Sequence, residues 1–328
     1  MTPPPWLAGR RVLVLGASGF VGRWAAAAFA AAGADVVASA RTPDAARAVL
    51  AAHALDLPVH RCDVEREGDV EALVAAVAPD VVVNVAGYGV RPEERDPARA
   101  AAVNALLPER LGRALLGRPA DAASDRRPEL VHVGSAAEYG DAGGDLRESG
   151  PALPQSVYGR TKLAGTQALA RLAEDEGLRC VVVRAFTVYG PGEPPGRLLP
   201  TLIAAAAAGR PSDLTEGLQR RDFTYVEDVA EALVRLAAVP APAPPVVNAA
   251  SGTLLAVREF VERAADVLGI ERAALRFGAI ANTREEMVHG PVNTESIVRL
   301  VGWRPATSVA DGVRRTLARL AEWRQRSA

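Results

Sequence analysis

Tyr158-Gly159-Arg160-Thr161-Lys162 sets a phenol and an ammonium four residues apart. In a helix that spacing puts both side chains on one face. The ammonium favours the phenolate and so lowers the Tyr158 pKa, and the helix N-terminus adds positive potential. A tyrosine tuned in this way gives a proton to a developing alkoxide or takes one from an alcohol. The pair alone also describes a surface helix, so a second group matters. Ser135 stands in Gly134-Ser135-Ala136-Ala137-Glu138-Tyr139-Gly140, directly after the apolar run Leu130–Val133. A strand ending there delivers the hydroxyl to the carboxyl edge of a sheet, within reach of a substrate oxygen. Ser135, Tyr158 and Lys162 are the expected catalytic residues.

Gly16-Ala17-Ser18-Gly19-Phe20-Val21-Gly22 follows another apolar run, Arg11–Leu15, and opens a helical stretch. The first glycine step is one residue longer than in G-x-G-x-x-G, but the physics is shared. Gly16 permits the turn, Gly19 lets backbone N–H groups approach a pyrophosphate, and Gly22 lets the helix pack on the strand. Ser18, Phe20 and Val21 belong to the same expected cofactor loop. An acidic residue about 20 positions further on would hold ribose hydroxyls. Here Asp35 comes too early, and the second strand ends in Ser39, Ala40 and Arg41. A 2′-phosphate would be bound by this guanidinium and is not repelled by a carboxylate, so NADP(H) is expected, with Arg23 assisting. A solvated arginine is the competing reading of Arg41.

These residues need a scaffold. Strand-like runs Arg11–Leu15, Asp35–Ala38, Val81–Val85, Leu130–Val133 and Cys180–Val183 alternate with helical stretches Val21–Ala32, Glu67–Val77, Ala98–Leu116 and Val157–Glu176. Such alternation predicts an α/β fold with a doubly wound parallel sheet covered on both faces. After Arg184 the pattern changes. Tyr189–Pro200 reads as loop, Leu199–Ala208 as helix, Asp222–Val226 as strand and Glu227–Ala237 as helix, with Asp228 and Glu231 at capping-box spacing. A proline-rich connection, Val239–Pro245, leads to a strand at Val246–Ala249, and helices follow at Val257–Leu268 and Val309–Gln325. Gly117–Pro128 reads as a polar surface loop. Residues 1–188 and 228–250 are expected to form the dinucleotide-binding domain, and 189–227 and 251–328 a smaller α/β substrate domain.

The chain has 328 residues, 49% hydrophobic and 23% charged, with a formal net charge of -1. That balance describes a soluble globular protein and gives no bulk basicity for nucleic acid. Two cysteines, Cys62 and Cys180, exclude a disulfide framework and fit a reducing compartment, so a cytoplasmic location is expected. No signal peptide is read at the start, and the alanine runs Ala25–Ala32 and Ala204–Ala208 are too short for a membrane span. Histidines at 53, 60, 132 and 289 have no ligand spacing, and no metal is expected. Cys62, Cys180 and His132 read as packing residues.

Glycine loop, strand-end serine and Y-x-x-x-K, in this order and over nearly the whole chain, resemble the extended short-chain dehydrogenase/reductase family. Its members have a Rossmann-type domain and mostly act on nucleotide-activated sugars. The resemblance makes Asp63-Val64 an adenine-contacting pair, Ala86-Gly87 a turn beside the cofactor ribose, and Asn104 the asparagine of the following helix. Arg184-Ala185-Phe186-Thr187-Val188-Tyr189-Gly190-Pro191-Gly192 is similar to the family segment R-x-F-N-V-Y-G-P-G. It carries Phe186 and Val188 to the cofactor, and Thr187, where many members have asparagine, to the substrate. Arg221-Asp222-Phe223-Thr224-Tyr225-Val226-Glu227-Asp228-Val229 and Gly302-Trp303-Arg304-Pro305 match later motifs. A homodimer through Ala98–Leu116 and Val157–Glu176 is also implied, and Lys162 is given a second role on the cofactor ribose.

Departures narrow the activity. Family dehydratases carry T-D-E at the strand end, where this chain has Ser135, Ala136 and Ala137. The proton-shuttling acids are missing, and Glu138 is offset by one position. G-S-x-x-E-Y-G looks most like reductases of nucleotide-linked 4-keto-6-deoxyhexoses. A reductase consumes a hydride each turnover, which suits NADPH. Reduction of the C4 ketone of such a nucleotide-diphosphate sugar is therefore the expected activity. A 4-epimerase with bound NAD, reduction of another carbonyl, and a non-catalytic NADP sensor stay open. For substrate, Arg221 is the first candidate for the diphosphate, against a salt bridge to Asp222 or Glu227. Arg197 and Arg284 are further candidates.

Overall fold

Buried β-branched runs meet alanine-rich helices throughout the first half. In this computed structural model, which describes residues 5–90, 93–118, 128–239, 246–281 and 290–327, the strands are β1 (Arg11–Leu15), β2 (Asp35–Ala40), β3 (Val59–Arg61), β4 (Val81–Asn84), β5 (Glu129–Ser135) and β6 (Cys180–Ala185). Between them run α1 (Phe20–Ala31), α2 (Pro43–Ala52), α3 (Asp69–Val77), α4 (Pro97–Ala100), α5 (Leu107–Leu116) and α6 (Val157–Glu176). The second half contributes β7 (Thr187–Tyr189), α7 (Leu198–Ala207), β8 (Ser212–Leu214), β9 (Arg220–Tyr225) and α8 (Val226–Leu236). It ends with β10 (Val246–Ala249), β11 (Leu254–Ala256), α9 (Val257–Leu268), β12 (Leu275–Phe277), α10 (Glu295–Val301) and α11 (Val309–Ser327).

Seven strands form one parallel sheet in the order β10-β6-β5-β4-β1-β2-β3. This is the doubly wound, Rossmann-like arrangement, with its order reversing between β1 and β4. A ligand crevice opens beyond the strand carboxyl ends at such a reversal. One face packs Phe29, Leu233 and Trp303 against the sheet, the other Leu111, Leu169 and Leu172. Among the described residues no helix is long and apolar enough to cross a membrane.

Smaller sheets, β11-β9-β7 and β12-β8, flank this layer system. Their core centres on Phe223 stacked on Phe260 at 4.1 Å, with Tyr189 edge-on to Phe260.

Several expectations are corrected. Thr187–Tyr189 is strand, paired in parallel with β9, so the segment read as loop begins with an ordered β residue, and its Leu198–Pro200 end belongs to α7. The short strands β3, β8, β11 and β12 and helices α2 and α10 were not anticipated. Asp228 does not cap α8, because the helix starts two residues earlier at Val226. Its carboxylate accepts Thr307 N–H at 3.1 Å and Thr307 Oγ1–H at 3.0 Å, while Glu231 pairs with Arg235. The stretch Ala98–Leu116 is not one regular helix, since residues Ala101–Leu106 form a π-turn. Pro108 has no N–H for the Asn104 carbonyl, and the ladder widens there. Most of Gly117–Pro128 and of the proline-rich connection lies outside the described residues.

Candidate active site

The glycine loop leaves β1 at Gly16, whose φ is +78. A Cβ there would stand 2.9 Å from Ala86 N, and one at Gly22 would overlap the Gly16 carbonyl oxygen. Side chains would fill the space that the loop keeps open in front of α1, where Gly19 caps the helix without a side-chain bond. Arg23 donates to Gly19 O and Ser18 O, both at 2.9 Å. Through these bonds it holds the loop against α1. Phe20 and Val21 pack into apolar clusters on the helix side.

In front of the loop lies a cavity of about 450 Å³, lined by Gly16, Gly19, Arg41, Val64, Ala86 and Gly87 among others. A backbone cradle at a helix N-terminus, in a cavity that continues past Arg41, fits a dinucleotide. Ser18 also lines this cavity. Asp63 shapes the adjacent turn by accepting Glu65 N–H at 3.1 Å. Asn104 is fully buried and reaches Tyr88 O at 2.7 Å, Tyr88 N at 3.0 Å and Thr161 Oγ1 at 3.0 Å, tying the loop after β4 to α6. Phe186 and Val188 are buried in apolar clusters with Tyr139 and Trp24, respectively.

Sequence reasoning missed Glu65. It lines the same cavity, 3.4 Å from Arg41 Nη1, and Arg99 grips it at 2.7 and 2.9 Å. That hydrogen bonding holds its carboxyl below the ordinary range. Its position directly after Asp63-Val64 was the available signal.

Ser135 ends β5 and opens a short 3-10 turn, Ala136–Glu138. Its Oγ accepts Ala137 N–H at 3.1 Å and its own N–H donates to Glu138 Oε1 at 2.8 Å. Tyr158 lies in the first turn of α6, which Ser156 caps through Gly159 N–H at 3.0 Å. Lys162 follows one turn later, buried, with Nζ donating to Val133 O at 3.0 Å. Burial lowers its pKa to about 8, against the opposing charge of Glu138. Burial also raises the Tyr158 phenol above its ordinary value, while hydrogen bonding with Ser135 and the charge of Arg197 pull it down. The expected depression of Tyr158 by Lys162 is therefore corrected. Desolvation dominates, and the ammonium is turned to a backbone carbonyl.

A second cavity of about 450 Å³ is lined by Thr187, Glu193, Arg197, Arg221, Phe223 and Ile280 among others. Arg197 Nε pairs with Glu193 Oε1 at 3.2 Å, and burial pushes the Glu193 carboxyl up to about 7. Arg221 donates to Arg220 O at 3.0 Å. The carboxylates named against it have other partners: Asp222 takes the Ser251 and Gly252 amides at 2.7 and 2.8 Å, and Glu227 pairs with Arg315 at 3.6 Å. Arg284 lies outside the described residues. A Cβ on Gly87 of the first cavity would stand 3.4 Å from Lys162 Nζ, and the charge of Arg197, which lines the second, acts on Tyr158.

His132, Cys62 and Cys180 are buried as packing groups. The His132 ring meets Asn84 Nδ2 at 3.0 Å, and burial raises the thiols to about 11 and about 12, respectively.

Comparison with known proteins agrees with this geometry. The chain is 34% identical to dTDP-6-deoxy-L-talose 4-dehydrogenase (NAD(P)(+)) of Kitasatospora kifunensis, covering 94% of this chain and 95% of that one. It is 29% identical to GDP-6-deoxy-D-mannose reductase of Pseudomonas aeruginosa, covering 97% and 98%. Its fold superposes on MoeE5 in complex with UDP-glucose and NAD with a TM-score of 0.80, at 28% identity and 97% and 99% coverage. Residues 12–250 match the model of one family, and by that match and the full-length likeness the chain belongs to the NAD dependent epimerase/dehydratase family.

Proposed function

We propose that the protein reduces the C4 ketone of a nucleotide-linked 4-keto-6-deoxyhexose with NADPH. The observation that carries this reading is the strand end itself. Ser135 closes β5 there, and the next two positions are Ala136 and Ala137, with no acid or base to eliminate water. Arg41 in the cofactor cavity supports NADPH. The names of two full-length relatives, both concerned with 6-deoxyhexose nucleotides, support the substrate class.

When bound, the reduced nicotinamide supplies a hydride to the carbonyl carbon. Ser135 and the Tyr158 hydroxyl hydrogen-bond the carbonyl oxygen, and both bonds strengthen as negative charge grows on it. Tyr158 then delivers its proton to that oxygen. Burial raises the Tyr158 phenol, which favours the protonated state that reduction requires. Lys162, one turn along α6 from Tyr158, supplies a donor for the cofactor ribose. Arg197 and Arg221, on the smaller α/β part formed by residues 189–227 and 251–328, face the substrate diphosphate.

The test is a panel of 4-keto-6-deoxy sugar nucleotides with NADPH, followed by product NMR. Stoichiometric NADPH oxidation with a new C4 hydroxyl is expected. A 4-epimerase is the second reading, favoured by Glu65, a carboxylate beside the adenosine end of the cavity that would suit unphosphorylated ribose. Co-purified NAD and interconversion of C4 epimers without net cofactor consumption would establish it instead.

A further inference from the structure

Beside the three candidate catalytic side chains lies a fourth ionisable group that none of the steps above uses. Glu138 is fully buried. Its Oε1 accepts the Ser135 N–H at 2.8 Å, and its Oε2 accepts Arg184 Nε–H at 2.9 Å. Arg184 lies on β6, in register with Gly134 of β5, so one carboxylate clamps the carboxyl ends of two neighbouring strands. Space for it exists because position 134 is glycine: a Cβ there would stand 2.5 Å from Glu138 Oε1. Behind it, the Arg184 guanidinium lies 4.4 Å from the centre of the Tyr139 ring, and Tyr139 donates to Asn248 Oδ1 on β10 at 2.7 Å.

Placing an ion pair here is costly in desolvation, and apolar residues of similar volume would fill the space at least as stably. Stability therefore gives little reason for it, while position does. The clamp fixes the residue that presents Ser135. Its charge also reaches α6, where it favours the ammonium form of Lys162 and opposes a phenolate at Tyr158. The other groups acting on or bonded to Lys162 do not replace it: burial lowers the His132 pKa well below its ordinary value, and Val133 offers only a backbone carbonyl.

We propose that Glu138 is a positioning residue of the active site: through its paired bonds to Ser135 and Arg184 it sets the serine, and it fixes a carboxylate at the end of the strand whose Val133 carbonyl holds Lys162. This rests on the reductase reading above.

The experiment compares steady-state kinetics and the pH dependence of kcat for Glu138→Gln, Glu138→Asp and Tyr158→Phe. Glutamine offers one acceptor where two donors wait, and no charge. Its kcat should fall about 10–100-fold, the size of loss seen when the outer partner that orients a metal-binding residue is removed. KM and NADPH affinity should hold, and the alkaline limb of the profile should move to lower pH. Aspartate keeps the charge but reaches less far, so its kcat should fall while its alkaline limb stays in place. A Gln variant with kcat within about threefold of normal, or with reduced kcat and an unmoved alkaline limb, overturns the proposal. If the Gln variant does not fold, Glu138→Leu combined with Arg184→Leu leaves no lone buried charge and serves in its place. Normal kcat and an unmoved limb in that protein overturn the proposal equally. Full activity of Tyr158→Phe would instead overturn the reductase mechanism itself.

Discussion

The ammonium of Lys162 donates to the carbonyl oxygen of Val133 at 3.0 Å, two residues before Ser135 on the same strand. The fold thus buries a cation, and burial brings its pKa from 10.5 to about 8. Because the folded pKa is the lower one, the unfolded chain binds more protons between those values, and stability rises with pH through that window. Below pH 8 the full cost is present. Lys162→Met should therefore be more stable than the parent at pH 7, by on the order of 1–3 kcal/mol. The gain should shrink towards pH 10.5, and turnover should be lost. Calorimetric melts of both proteins across this range check it, and a variant less stable at pH 7 contradicts it.

Tyr158→Phe keeps the ring but removes the proton donor. Turnover should fall about 10²–10⁴-fold, the range for general acid–base catalysis, with NADPH affinity unchanged. Ser135→Ala should cost about 10²–10³, as for one donor to a developing oxyanion. Single-turnover rates on folded variants measure both. Reduction by the Phe protein within about threefold of normal would sink the mechanism.

Arg41 and Glu65 lie 3.4 Å apart and both line the cavity in front of the glycine loop. Arg41→Ala should weaken NADPH by about 1.5–3 kcal/mol, the worth of hydrogen bonds to a charged group, and leave NADH nearly unaffected. Glu65→Gln should move the NADPH-to-NADH affinity ratio the other way. Fluorescence titrations with both nucleotides give the ratio. Tighter NADH binding by the unmodified protein would refute the preference.

His53 sits with its ring centre 5.1 Å from that of Trp24 and 4.4 Å from that of Trp323. Burial, aided by Arg23, Arg319 and Arg326, lowers its pKa to about 3. Stability from this group is complete above its unfolded value of 6.5 and lost as pH falls towards 3. His53→Leu should remove that component, so the gap between parent and variant should change by on the order of 2–3 kcal/mol between pH 7 and pH 4. Urea melts at both pH values test this, and parallel pH dependences would refute it.

The sequence shows plainly whatever is local or periodic. Runs such as Val81–Val83 are apolar at every position because both faces of the sheet are covered, and α6 runs from Val157 to Glu176 as its pattern indicates. Three-residue strands such as Val59–Arg61 and Leu275–Phe277 are too short to establish a period and carry charged residues. Thr187–Tyr189 hides beside glycines and proline, and only its pairing with β9 makes it a strand. Within the site, the types and order of Ser135, Tyr158 and Lys162 are visible, but their electrostatics are not. The balance of burial against charge at Tyr158 depends on neighbours as distant as Arg197. Glu138 and Arg184 are 46 positions apart, and nothing short of β5 pairing with β6 announces their contact.

The return of β10 to the edge of β6 has a consequence for biosynthesis. While the ribosome has released β6 but not residues 246–249, the growing polypeptide carries a bare strand edge of six buried-type residues, the kind of surface that invites pairing with another chain. Asp228 waits longer still, for Thr307, and Trp303 must arrive before its indole N–H can donate to the Asp228 carbonyl. Native closure of the large sheet is therefore a late event in translation, and a stalled or truncated product ending before residue 246 is the form most exposed to self-association and to capture by chaperones.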